Sequence, residues 1–140
     1  MAANTSPIFV LTPNSPVVVG ATAANAARDG SGTLTTLFTA GANGSRVDSV
    51  TFTSAQLTNA ASSAMVGRIF LTDGAGANPR LIAEVAIATV TPSATVVAAQ
   101  AIINFTNGYL MQTGQLMKVT QSVYAGVQDQ MHVAAKGGDY

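Results

Sequence analysis

The chain contains no cysteine and no tryptophan, has a single histidine, and only 9% of its 140 residues are charged, against roughly 25% in a typical soluble domain. Each shortage excludes something. Without cysteine there is neither a disulfide nor a thiolate metal site, which fits a reducing interior or a fold held by assembly. With His132 as the one histidine, no His-rich metal site can form, and imidazole acid–base chemistry rests on that ring alone. Six basic and six acidic side chains cancel to a net charge of zero. There is therefore no electrostatic footprint for nucleic acid or for an anionic membrane, and near-neutrality favours contact with other protein surfaces. No run approaches the roughly 20 apolar residues of a membrane-spanning helix. The opening "MAANTSPIFVLTPNSPVVVG" has no basic start, and Pro7, Pro13 and Pro16 interrupt it, unlike a signal peptide. The expectation is a chain made in the cytoplasm that stays soluble or assembles there.

What is present is β-like. Runs of β-branched and alternating residues are separated by Gly, Asn, Asp and Pro clusters, which predicts an all-β domain. Strands are expected near 17–23, 33–39, 46–54, 64–72, 80–90, 95–106, 115–124 and 129–135. In "RLIAEVAIATV", Leu81, Ala83, Val85 and Ile87 share one face, and Ile82, Glu84 and Ala86 the other. The same alternation groups Ala101, Ile103 and Phe105, then Met117, Val119 and Val123, then Met131 and Val133. Such half-buried strands suit an antiparallel, jelly-roll-like sandwich of about eight strands over residues 17–140. The short alanine-rich pieces "NAARDG" and "NAASSAM" are read as connections, too short to nucleate helices unaided.

Two glycine clusters pose the question of a ligand loop. In "LFTAGANGSRVDSVTF", the glycines, serine and Arg46 resemble a phosphate cradle, but such a loop needs a lysine at fixed spacing and a following helix. Here a β-branched run follows. Asn43-Gly44 instead supplies the two positive-φ residues of a tight hairpin turn. Arg46 and Asp48, two apart on one strand, share a face and can pair; Arg46 is either a solvated edge charge or an interface ion. In "TDGAGANPRL", Asp73 and Asn78 fall well short of a calcium site, so a plain loop is expected. "TPSAT" is a further turn around Pro92.

Catalytic chemistry has little to stand on. His132 alternates with Met131 and Val133 and so points away from them, as a surface or subunit-contact residue. A Ser–His–Asp set with Asp129 is compatible with composition, yet no Gly-x-Ser-x-Gly elbow accompanies it. Glu84 is the sole glutamate, with no nearby carboxylate to form an acid–base pair. No cofactor, metal or catalytic site is predicted.

"RDGSGTLTTLFTAGANGSRVDSVTF", "RIFLTDGAGANPRLIAEVAI", "TPSATV" and the ending "HVAAKGGDY" resemble small β-rich virion proteins of tailed bacteriophages, over Arg28 to Tyr140. Among these, capsid decoration (cement) proteins are the preferred likeness. The resemblance implies a β-sandwich or jelly-roll trimer on the outside of the expanded head that clamps neighbouring major capsid subunits without chemistry. It implies a virion location, with the major capsid protein and further copies of the chain as partners. A tail-tube, neck or fibre-associated protein is the first alternative. A carbohydrate-binding sandwich ranks lower, since aromatics are 6% and Tyr109, Tyr124 and Tyr140 are scattered.

Residues 1–16 are expected to form an extended arm that becomes ordered on assembly, because three prolines exclude a central strand or helix interior. Its apolar patch, Ile8, Phe9, Val10 and Leu11, demands burial on the chain's own core or on a neighbour. The last strand is expected to end near Lys136, with Gly137-Gly138 releasing Asp139 and Tyr140 toward a neighbour. The expected interface residues are thus Ile8, Phe9, Val10, Leu11, Arg46, Asp48, His132 and Tyr140.

Overall fold

In the computed structural model the described residues are 10–20, 23–55 and 60–140. They form nine strands: β1 (Thr12–Asn14), β2 (Val17–Val19), β3 (Thr35–Thr39), β4 (Ser45–Ser54), β5 (Met65–Thr72), β6 (Arg80–Ile87), β7 (Gln100–Met111), β8 (Leu116–Gln121) and β9 (Met131–Asp139). The only helical segment among the described residues is a 3-10 turn, Val127–Asp129. One sheet, A, runs β1/β2–β9–β4–β7, and the other, B, runs β3–β8–β5–β6, all antiparallel.

This order is a jelly roll. β1 and β2 lie along the same strand, β9, with Pro16 between them, and together act as one broken strand. The chain then pairs first with last (β1/β2 with β9), β3 with β8, β4 with β7 and β5 with β6, and this nested array is folded over into two sheets. The alternating strands supply the core. Val47, Val50, Phe52, Met131 and Val133 from sheet A face Phe38, Ile69, Met117 and Val119 from sheet B, all 4% exposed or less.

Several local expectations need correction. Pro13 lies in β1, opposite Gly138, where an edge strand tolerates the missing donor. Residues 95–99 precede β7, whose pairing instead continues to Met111 past a bulge at Asn107 (φ 67°) and Gly108 (φ 76°). A bulge at Ile82 places Ile82 against the core, while Leu81 pairs with Phe70 and leaves the core face. The Asn43-Gly44 turn is not a hairpin: β3 belongs to sheet B and β4 to sheet A, so the turn carries the chain between sheets. It closes with Gly44 N–H donating to Gly41 O at 3.0 Å, and only Gly44, at φ 87°, takes positive φ.

The chain's end is also held. β9 continues to Asp139, and a Cβ on Gly138 would sit 2.7 Å from Thr12 O, so the glycine permits close strand approach instead of release. Asp139 accepts from Ser45 Oγ and from Asn14 Nδ2 (3.2 Å), while Tyr140 N–H donates to Gly44 O (3.2 Å).

Candidate functional site

The two outer faces of the sandwich differ. That of sheet B is roofed by the β2–β3 connection, residues 23–34. Asn25 anchors the roof: its N–H donates to Gln121 O at 2.9 Å, and its side-chain amide donates to Ser31 O at 2.8 Å and Thr33 O at 3.0 Å. Beneath lie Phe70, 0% exposed, and Arg68, 5% exposed. Arg68 donates through Nε to Glu84 at 2.6 Å, across the β5–β6 pair, and Arg28 on the roof reaches the same carboxylate oxygen at 3.1 Å.

The Arg68 bond first, and the Arg28 bond second, hold the Glu84 carboxyl below its ordinary value of 4.5. A lowered folded pKa contributes stability that is fully present above the ordinary value and lost as pH falls through the lowered one. Glu84→Gln should therefore melt lower than wild type at neutral pH, since buried Arg68 loses its counter-charge. The gap between the two melting temperatures should shrink progressively below pH 4.5. A gap that stays constant down that limb would show that Glu84 is not a titrating support.

Sheet A keeps its outer face open. Its cross-strand rows read Val19, His132, Thr53, Gln100, and next to them Val17, Ala134, Thr51, Ile102. Val17 is 65%, Val19 46% and Ile102 49% exposed. Exposed valine and isoleucine among threonines and alanine form a pleated, uncharged centre, bordered in the adjoining row by exposed Lys136 beside Ser49 and Asn104. Desolvating it on contact with another protein costs little.

The residues singled out in the sequence fall into two groups on this sheet. His132 is exposed on the outer face, opposite Met131 and Val133 as the alternation predicts. Val10, Leu11, Arg46 and Tyr140 lie at the other end of β9, about 20 Å away at the strand rise of six residues. There Leu11 N–H donates to Asp139 O at 2.9 Å, and Arg46 pairs in register with Gly138 and Leu110. Arg46 sits on β4, a central strand, so it is not an edge charge; its Nε donates to Asp48 at 2.7 Å, as the shared face suggests. Ile8 and Phe9 lie outside the described residues. A shallow groove of about 570 Å³ opens at this end between Leu110, Thr113 and Tyr140.

The sequence's chemical candidates are engaged elsewhere. The Asp129 carboxylate, fully buried, accepts from Ser63 N–H (2.7 Å), Ser63 Oγ (3.1 Å) and Ala125 N–H (2.7 Å), so it ties two loops together and neither oxygen meets His132. Asp73 accepts from Ala77 N–H (2.8 Å), Ala75 N–H (3.1 Å) and Asn78 Nδ2 (2.9 Å). These bonds, the Ala77 one foremost, lower its pKa and spend its oxygens on its own loop. Sequence reasoning missed the exposed Val96, Val97 and Val127, for which no periodic signal exists in turns, and the exposed Leu110, which lies in β7 beyond a bulge that breaks the alternation.

No protein-family model matches the chain, and no curated protein sequence is similar to it. Among solved structures, a chain from "Structure of infectious bursal disease virus Gx strain" aligns over 98% of this chain at 16% identity, with a TM-score of 0.28. This chain spans 34% of that one's length. A TM-score at that level shows no common fold, so the jelly-roll assignment rests on the strand order alone.

Proposed function

We propose that the chain is a structural virion protein, a capsid decoration protein of a tailed bacteriophage, that works by binding and not by chemistry. It assembles in the host cytoplasm, joins further copies of itself, as a trimer in the simplest arrangement, and docks on the major capsid protein at the surface of the expanded head. The observation that carries this is the open outer face of sheet A, centred on Val17, Thr51, Ala134 and Ile102, opposite a sheet whose own outer face is already roofed. The jelly roll supports the reading by analogy, since the fold recurs in viral capsid domains, although it also serves lectins and cupins. A lectin role has less support: among the described residues the one close aromatic pair, Phe105 and Tyr109 at 5.3 Å, is half-buried and offers no sugar platform. Many symmetric copies would make modest single contacts collectively strong against internal pressure.

The test is binding to expanded capsids that lack the protein. Val17→Lys combined with Ile102→Lys, both at exposed positions, should leave stability within about 0.5 kcal/mol per site and abolish sedimentation with the capsids. Undiminished binding by the folded double variant would remove sheet A from the reading. Gold-labelled antibody on intact virions should mark heads; tail labelling would favour the tail-component alternative.

A further inference from the structure

Residues 10–20, which carry β1 and β2, are held to the domain mainly by their backbone. β9 pairs with β4 on one side and with β1 and β2 on the other, so without this arm its edge would be bare from Met131 to Asp139. Leu11 N–H donates to Asp139 O at 2.9 Å, and Ala135 N–H donates to Pro16 O at 3.0 Å. Yet no side chain from Val10 to Val19 is fully buried, and of the arm's apolar side chains only Val18 packs against the core. The buried core between the sheets, from Leu37 to Ala135, is complete without the arm.

An edge strand that supplies backbone bonds but no core is interchangeable between identical chains. The arm of a second copy makes the same bonds to β9 in the same register, so exchange forfeits no contact within the sheet. Two features of the arm favour it. The chain carries no charge before Arg28, so transfer of the arm separates no ion pair. Pro13 and Pro16 fix φ and restrict the detached arm to extended forms, which lowers the entropy lost when it docks. The same prolines stand on the sheet's outer edge, where they discourage a further strand from adding, so growth stops at the exchanged arm.

We propose that residues 10–20 of one copy lie along β9 of a second copy and complete its sheet A. Val17 then stands opposite Ala134 of the neighbour, and Val19 opposite its His132. The open outer face of sheet A is therefore composite: Val17 and Val19 come from one copy, and His132, Ala134, Thr51 and Ile102 come from the next. An arm returned to its own β9 joins nothing, whereas an exchanged arm ties each copy to the next with the bonds of an internal strand. Passed on by one repeated rotation, the exchange closes into a ring, of which the trimer is the smallest. This inference rests on the reading of the chain as a self-assembling structural protein and names the element that joins the copies.

Because the chain has no cysteine, paired cysteines report whose arm lies on β9. Val19→Cys with His132→Cys places two thiols at exposed, directly opposed positions, within the Cα separation that a disulfide spans. After oxidation, non-reducing gels should show covalent species at multiples of the 14.1 kDa subunit, and reduction should return them to single chains. Oxidised protein that runs at the single-chain mass with no free thiol would mean that each arm pairs with its own β9, which overturns the proposal. The two single variants give a second reading that does not depend on the double variant's folding. Unfolded together, refolded and oxidised, Val19→Cys and His132→Cys should become linked to each other, and a refolded mixture without that mixed disulfide would count against exchange as decisively. So would a wild type that light scattering finds monomeric at micromolar concentration. Capsid docking is read separately by the sheet A double variant: self-paired arms leave that face standing, and linked copies that fail to sediment with capsids leave the exchange standing.

Discussion

Replacing Gly44 by valine should destabilise the domain by roughly 3 kcal/mol or more, the combined cost of a β-branched residue at positive φ and a backbone collision. Gly44 has φ 87°, and a Cβ there would lie 2.7 Å from Met111 O. That oxygen belongs to the end of β7, the strand paired with β4, so relief would require the sheet to open. The same turn accepts Tyr140 N–H through Gly44 O, and its displacement would loosen the chain's last residue as well. Urea denaturation of wild type, Gly44→Ala and Gly44→Val should show a graded loss, with alanine at about 1–3 kcal/mol. A valine variant within about 1 kcal/mol of wild type would mean that the turn rearranges freely. Because the turn leads into a strand and not a helix, neither phosphate nor nucleotide should raise the wild-type melting temperature.

The turn also shows what the sequence could convey and what it could not. Alternation over Met131 to Val133, Met117 to Val119 and Ala101 to Phe105 placed inward and outward residues correctly, since a half-buried strand records its two environments residue by residue. It located all eight principal strands and the outward His132. Asn43-Gly44, by contrast, is a local signal for a turn and carries no information about which sheet each flanking strand joins. β3 finds β8 and β4 finds β9, partners from the far end of the chain. The bulge at Ile82 likewise breaks a parity that the sequence alone would continue. "TVV" before β7 has the composition of a strand, yet Ser93 captures it as a turn through side-chain bonds. For the candidate site, scarcity of charge pointed to protein contacts, but not to a location. Which face is open depends on residues 23–34 crossing sheet B, a tertiary event set by Asn25, Arg28 and Arg68.

Asp129→Ala should cost roughly 2–4 kcal/mol, because it leaves a void at a fully buried position and strips the half-buried Ser63 N–H and the Ala125 N–H of a charged acceptor. The Asp129 side chain is 0% exposed and receives Ser63 N–H and Ala125 N–H, both at 2.7 Å. No other acceptor bond is made by either amide, so the loops carrying them lose their common anchor together. Asp129→Asn keeps one acceptor oxygen but turns an NH₂ toward the other amide, which predicts an intermediate loss of about 1–3 kcal/mol. Native-state hydrogen exchange should show the Ser63 and Ala125 amides losing protection in the alanine variant while those of Val50 and Val119, in the strands, fall only with global stability. Alanine and asparagine variants that match wild type in melting would show that the carboxylate is dispensable, and that these loops are held by their backbone bonds alone.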